Sequence, residues 1–295
     1  MGLTQNLIFG LVWGSYLAVA TIGFTLVYGI LDTVNFAYGE YMTIGAYVGF
    51  FSLVTLELGL LPTIVVVAVV TGAIGWALAR LVFTPIEDMG GLPILLTSIG
   101  LGIVLRNVFR LGIGPDNRYY KMIPDNSVVF RTNQAGGVFV NELHLVTIVG
   151  GLVFFVGIHL MLTRTETGKA MRAMSDDKEL ALVVGINTSL IRDIVWVLSS
   201  VAAGIAGLLI GAQAAVNPFV GFDELLLVLT AAIIGGAGSA YGAIIGAFLI
   251  TISVSVVTMF LPTDATSLGI TMAYIMLVVL LLVRPGGIAR TGATA

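Results

Sequence analysis

The residue types that carry most enzymatic chemistry are scarce in this chain and are not grouped where they occur. There is no cysteine, which removes thiolate nucleophiles, disulfides and Cys/His metal sites, and only His144 and His159 supply imidazole. A phosphate-cradling loop needs G-x-x-x-x-G-K-[ST]. The one Gly-Lys pair, Gly168-Lys169, is followed by Ala170 and has Thr163 where the first glycine is required. No G-x-S-x-G elbow, H-E-x-x-H pair or complete G-x-G-x-x-G occurs. Catalysis, a metal site and a resident cofactor are therefore not expected.

The chemistry that is present is charge set into apolar surroundings. Arg164 to Arg192 forms a charged island that also holds Glu166, Lys169, Arg172, Asp176, Asp177, Lys178 and Glu179, with apolar runs on both sides. It reads as an aqueous loop offered to a docking partner, with an amphipathic helix over about Gly168 to Val184. Asn35, Glu40 and Tyr41 fall at the cytoplasmic start of the second apolar run. Arg106 and Asn107 fall within the fourth, and Gln213, Asp223 and Glu224 flank the external side of the sixth and seventh. An ionisable side chain in hydrocarbon costs at least ~2.5 kcal/mol, so Arg106 and Glu40 should face protein or water. Arg106 could instead snorkel to the external headgroups, and Glu40 could serve as a helix N-terminal acid favoured by the dipole.

The elements that must position these groups are membrane helices. With 58% hydrophobic and 10% charged residues and a mean hydropathy of +1.07, the chain lies outside the soluble range, where about 25% of residues are charged. A span needs ~20 apolar residues, and such runs occur at Leu7 to Leu31, Phe36 to Leu56, Leu61 to Val82, Leu92 to Leu111, Leu143 to Leu162 and Ile194 to Ala215. The charge-free stretch from Leu225 to Phe260 is too long for one crossing and must break at Gly235-Gly236-Ala237-Gly238-Ser239. A last run covers Leu268 to Val283. The fold expected is an all-α polytopic bundle of about eight to nine membrane segments, forming a single domain over 1–295.

No Lys or Arg precedes Arg80, so the first run lacks the basic flank of a signal peptide and should remain as a helix. Placing the island and the Arg284/Arg290 tail in the cytoplasm puts the polar loop 112–142, with a short hairpin, outside, and the N-terminus outside as well. Arg118, Lys121 and Arg131 on that loop weaken the bias. Most of the 37 glycines read as packing residues, with Gly242 and Gly246 one helical turn apart for close helix contact. The similarity of Ala37-Tyr38-Gly39 to Ala240-Tyr241-Gly242 is better explained by chance than by a repeat. A net charge of -3 suggests no nucleic-acid partner.

Several stretches taken together resemble one family. Leu26-Val27-Tyr28-Gly29, Val34-Asn35-Phe36-Ala37-Tyr38-Gly39-Glu40 and Gly45-Ala46-Tyr47 look like the N-terminal signature of branched-chain amino-acid ABC importer permeases. Gly168-Lys169-Ala170-x-Arg172-Ala173 with Asp176 and Gly185-Ile186-Asn187-Thr188 resembles the family's coupling loop, where Glu179-Leu180-Ala181 and Gly185 fit an E-A-A-x-x-x-G spacing. Gly235-Gly236-x-Gly238-Ser239-x-x-Gly242-Ala243 matches its late glycine motif. The resemblance runs from about residue 10 to 287 and is closest to the shorter of two permease types. Tyr38 stands where many relatives have His, and Leu180 replaces the first Ala of the coupling motif.

The resemblance implies an ABC importer permease fold in the cytoplasmic (inner) membrane. It also implies a second homologous permease, two cytoplasmic ATP-binding subunits and an external solute-binding protein. ATPase coupling would then fall to Gly168, Lys169, Arg172, Asp176, Glu179, Ala181 and Gly185, within a docking face from Met171 to Ala181. Pore candidates are Asn35, Glu40, Tyr41, Arg106, Asn107 and Gln213, and Gly235, Gly236, Gly238, Gly242 and Gly246 serve the break and its packing. Urea and short amides are alternative substrates within the family. A self-contained channel or ion-driven carrier is the rival from another class, and it would be expected to show mid-span acids.

Overall fold

The computed structural model describes residues 3–120, 128–131, 138–236, 238–260 and 268–283. In chain order the elements are α1 (Leu3–Leu31), α2 (Tyr38–Phe50), α3 (Leu60–Leu78), α4 (Gly91–Ile113), β1 (Val128–Arg131), β2 (Phe139–Asn141), α5 (Glu142–Arg164), α6 (Glu166–Asp176), α7 (Lys178–Val183), α8 (Thr188–Gln213), α9 (Val220–Gly235), α10 (Ala240–Phe260) and α11 (Leu268–Val283). A π-helical turn extends α2 over Phe51–Thr55; another extends α3 over Ala79–Phe83, followed by a 3-10 stretch, Thr84–Met89.

Among the described residues, six helices are long and apolar enough to cross a membrane: α1, α3 with its extension to Met89, α4, α5, α8 and α10. The remaining apolar helices, α2, α9 and α11, are shorter, so long helices alone do not reach the expected eight to nine membrane segments, although α11 coincides with the expected last run, Leu268 to Val283. The protein is a multi-pass helical membrane bundle. Its centre is α1, which packs on α10, α8, α5 and α9, while α8 also carries α2 and α3. The bundle's flanks, α4 and α5, are mostly exposed.

Close helix contact here depends on missing side chains. At the α2–α8 crossing a Cβ on Gly45 would run into the backbone of Gly204, and one on Gly207 into the carbonyl of Met42. The expected break after α9 is present: α9 ends at Gly235, α10 begins at Ala240, and Gly236 and Gly238 adopt φ of 99° and 91°. Those values favour glycine, which has no Cβ to clash. A Cβ on Gly235 would meet the carbonyl of Gly242, and one on Gly246 that of Ala231, so α9 and α10 fold back tightly on each other. Ala237 and the Arg284/Arg290 tail lie outside the described residues.

The hairpin expected in loop 112–142 is formed by β1 and β2, antiparallel with an irregularity between Val128 and Phe130. Gln5 near the start of α1 clasps β2, donating to the Phe139 carbonyl at 3.1 Å and accepting from its amide at 2.6 Å. Lys121 and the side chain of Arg131 lie outside what is described. The bundle thus has a hairpin end and an island end, with α1 running between them.

Candidate functional site

The island is folded more finely than its amphipathic pattern predicts. The single helix expected over about Gly168 to Val184 is two, because Asp177 is extended (φ -158°, ψ 109°) and its carboxylate accepts from the Leu180 amide at 2.9 Å, capping a new helix. Thr165 caps α6 and Asn187 caps α8 in the same way. These side chains satisfy amides that have no partner in a helix's first turn. The cap at Asn187 also starts α8 six residues before the expected Ile194, which carries Arg192 and Asp193 onto the helix.

The coupling candidates divide by exposure. Gly168, Met171, Met174 and Ala181 are buried, the last three in a cluster with Phe83, Val195 and Trp196, so they anchor the loop rather than face a partner. Within the range Met171 to Ala181 expected as a docking face, these three are turned inward and Ser175 to Leu180 are exposed. Arg172 donates to the Leu162 carbonyl and Lys169 pairs with Glu166 at 2.9 Å. Asp176 and Glu179 are exposed, as is Gly185 at φ 88°. What faces outward beside them is apolar: Leu180, Leu182, Val183 (82% exposed) and Val184.

Two attachments tie this loop to the spans. Ser175 Oγ donates to the Gly29 carbonyl in the last turns of α1 at 2.6 Å. Glu87, in the 3-10 stretch after α3, pairs with Lys178 at 2.8 Å and with Arg192 at 2.9 Å, while Arg80 pairs with Asp193. Behind α6 lies a cavity of about 330 Å³, lined in part by Thr25, Ile30, Arg172, Ser175 and Tyr241. The loop is therefore held at points rather than packed throughout. Glu87 was not singled out by its sequence context, where it is one of two adjacent acids, Glu87-Asp88, after Thr84-Pro85.

The second group of candidates lies at mid-span. After α1 the chain turns back through residues 32–37, with the Phe36 amide donating to Ser98 Oγ of α4 at 3.0 Å and Asn35 Oδ1 accepting from the Ala37 amide at 2.9 Å. The Tyr38 hydroxyl donates to the Ala20 carbonyl at 2.7 Å. Ala20 stands eleven residues before the end of α1, about 17 Å along the helix. Thus α2 begins deep in the bundle, and Asn35, Glu40 and Tyr41 sit there rather than at the cytoplasmic start of a span.

The first turn of α9 reaches the same level from the other side. A Cβ on Gly221 would collide with the Gly39 carbonyl, its amide donates to Thr43 Oγ1 at 3.1 Å, and Tyr16, midway along α1, donates to Glu224 at 3.5 Å. Asp223 and Glu224 are therefore at mid-span, not on the external flank where the apolar run starting at Leu225 placed them. Because α9 begins at Val220, both acids belong to its N-terminal turns, where the helix dipole favours them.

Arg106 joins the two helix starts. Its Nε and Nη2 both donate to Glu40 Oε1, at 3.0 and 2.6 Å, and its guanidinium lies 3.9 Å from the ring centroid of Phe222 and 5.5 Å from that of Phe219. Glu40 is 1% exposed. Arg106 thus faces protein rather than snorkelling, and Glu40 is both a first-turn acid and an ion-pair partner. Buried polar atoms without a well-formed hydrogen bond gather here: Asn35 Nδ2, Glu40 Oε2, Tyr41 Oη and Glu224 Oε2. The other two pore candidates are apart from the cluster. Asn107 is exposed and bonds to the Ile103 carbonyl, and Gln213 ties α8 to α5 through Thr147 at 2.9 Å. Phe219 and Phe222 went unnoticed in the sequence, although F-x-x-F-D-E ahead of an apolar run spaces them one helical turn apart.

A multi-pass bundle with a point-anchored polar loop and two helices that start opposite each other at mid-span is a membrane transport protein in design. The sequence model of the family described as the branched-chain amino acid transport system permease component matches residues 6–283. The chain belongs to that family. It is 31% identical over 258 residues to the high-affinity branched-chain amino acid transport system permease protein BraD of Pseudomonas aeruginosa, covering 84% of each chain. It is 29% identical over 293 residues to LivH of Escherichia coli K12, covering 96% of this chain and 94% of that one. A probable LivH of Methanocaldococcus jannaschii is 28% identical, with 94% and 90% covered. Among solved structures, PsaBC from Streptococcus pneumoniae in complex with Fab aligns with a TM-score of 0.50 at 15% identity, over 97% of this chain and 93% of that chain, a likeness of fold.

Proposed function

We propose that this chain is one permease subunit of an ATP-driven importer that moves branched-chain or similar small amino acids across the cytoplasmic membrane. In this reading the island end is cytoplasmic, the hairpin end is external, and α2, α9 and α11 complete nine membrane segments with the six long spans. The partners are a second homologous permease, two cytoplasmic ATP-binding subunits and an external solute-binding protein. The observation that carries it is the outward face of α7 and the turn after it, where Leu180, Leu182, Val183 and Val184 are exposed on a charged aqueous loop. Exposed apolar clusters rimmed by charge mark protein-binding surfaces. Movement of a docked ATPase passes to α1 through Ser175 and to α3 and α8 through Glu87.

The test is to purify the tagged chain from its native membrane in mild detergent, identify its partners, and measure leucine uptake in proteoliposomes. Recovery of a second permease and P-loop ATPases, with uptake that requires ATP, supports the reading. Joint replacement of Glu179 and Gly185 should leave ATP hydrolysis while abolishing uptake; unchanged uptake would defeat the coupling assignment.

An ion-driven carrier is favoured by one observation, the mid-span acids Glu40, Asp223 and Glu224, which the sequence pattern alone places at the ends of apolar runs. It requires the chain to move solute in liposomes by itself, driven by an ion gradient and without ATP.

A further inference from the structure

The mid-span cluster has an exposed side. Phe219, Phe222, Asp223 and Leu226 fall on one stripe along the start of α9, and all four are exposed, as are Asn107 and Arg110 on neighbouring α4. Arg110 lies 5.7 Å from the Phe219 ring. Charged groups at mid-span do not face lipid, since they are retained where they meet protein or a water-filled path. This stripe therefore lines the path or the seam with the second permease. Asp223 follows Phe222 in the chain, and the Arg106 guanidinium stands 3.9 Å from the centroid of the Phe222 ring. The surface thus presents a cation, an anion and an apolar wall within a few side chains of one another.

Resting on the importer reading, we propose that this stripe is a way station for a zwitterionic amino acid: Arg106 receives the α-carboxylate, Asp223 the α-ammonium, and Phe219, Phe222 and Leu226 the apolar side chain. Arg106 is suited to a transient hold. Two of its nitrogens are engaged by Glu40 Oε1, while Nη1 has no hydrogen-bond partner among the described residues. Its charge is offset by the carboxylate it already holds, so a second carboxylate is attracted without being trapped. A conducting path needs sites that admit and release. The N-terminal ends of α2 and α9 add a positive partial charge at the same level, which favours the carboxylate further. Urea and short amides carry neither charge and would gain nothing from this pairing.

The experiment uses the assembled complex with its binding protein in proteoliposomes, with radiolabelled leucine for flux and photo-leucine for contact. Wild type should be photolabelled within 219–226 or on α4 near Arg106. Asp223→Asn should lower both the labelling and the maximal uptake about tenfold, the scale of losing a charge-assisted contact. The half-saturating leucine concentration, set by the binding protein, and basal ATP hydrolysis should be unchanged, and Asp223→Glu should recover most of the flux. Labelling confined to other segments, or wild-type flux in Asp223→Asn, overturns the station. So does loss of assembly in both Asp223 variants, which would make the residue structural. If wild type shows no ATP-driven leucine uptake, the importer reading falls separately, and the photolabelling still decides whether the stripe receives the amino acid.

Discussion

Gly221 and Gly39, each in the first turn of its helix, lie so close that a Cβ on Gly221 would overlap the Gly39 carbonyl, and this contact sets α9 against α2. Gly221→Ala must therefore push the two helix starts apart, with an overpacking cost of about 1–3 kcal/mol. Gly100 on α4 has open space where its Cβ would go, so Gly100→Ala should be neutral or slightly stabilising through helix propensity. Thermal melting of the detergent-extracted complex should separate the two. Equal melting temperatures would show that the bundle yields at this contact.

Glu87 connects α7 and α8 to the end of α3. Partly exposed pairs of this kind contribute up to ~1 kcal/mol each, or about a fivefold change in a local opening equilibrium. Glu87→Gln should speed amide hydrogen exchange in α7 by that factor while leaving α1 and α10 unaffected. Exchange in α7 that matches wild type would assign its anchoring to Met171, Met174 and Ala181 alone.

The long apolar runs made most of this fold legible. Hydrophobic length alone locates α1, α3, α4, α5 and α10 to within a few residues, and 36 charge-free residues force the break before α10. What was not legible depends on local capping and on contacts across the chain. Asp177 can be one more charge on an amphipathic helix or the cap of a new one, and only the extended backbone at that residue decides. The depth of Glu40 and Asp223 is likewise invisible in hydropathy. Each sits beside an apolar run, and whether that run starts at the membrane surface or at mid-span depends on Tyr38 reaching Ala20 and Gly221 reaching Gly39.

The outward apolar residues after Asp177 should matter for assembly and not for folding. Val183→Asp places a charge where the side chain is already exposed, so insertion and melting temperature should match wild type. Copurification of the ATP-binding subunits should fall at least about tenfold, as expected when a charge enters the apolar centre of a small interface. Retention of the subunits at wild-type stoichiometry would move the docking surface to the charged residues of α6.

The Glu40–Arg106 pair should respond asymmetrically to single and double substitution. Removing one member of a buried ion pair leaves the other uncompensated and typically costs about 3–5 kcal/mol, whereas replacing both with apolar groups of similar size is often neutral. Glu40 is almost wholly buried and Arg106 is 16% exposed at its side chain, so the rule applies with some reduction on the arginine side. Glu40→Leu and Arg106→Met, made singly, should each lower the melting temperature of the complex, and the double variant should recover most of the loss. Leucine uptake should not recover with it, because the guanidinium is gone from the stripe. Recovery of uptake together with stability would reduce the pair to a structural one and leave the path to residues other than Arg106.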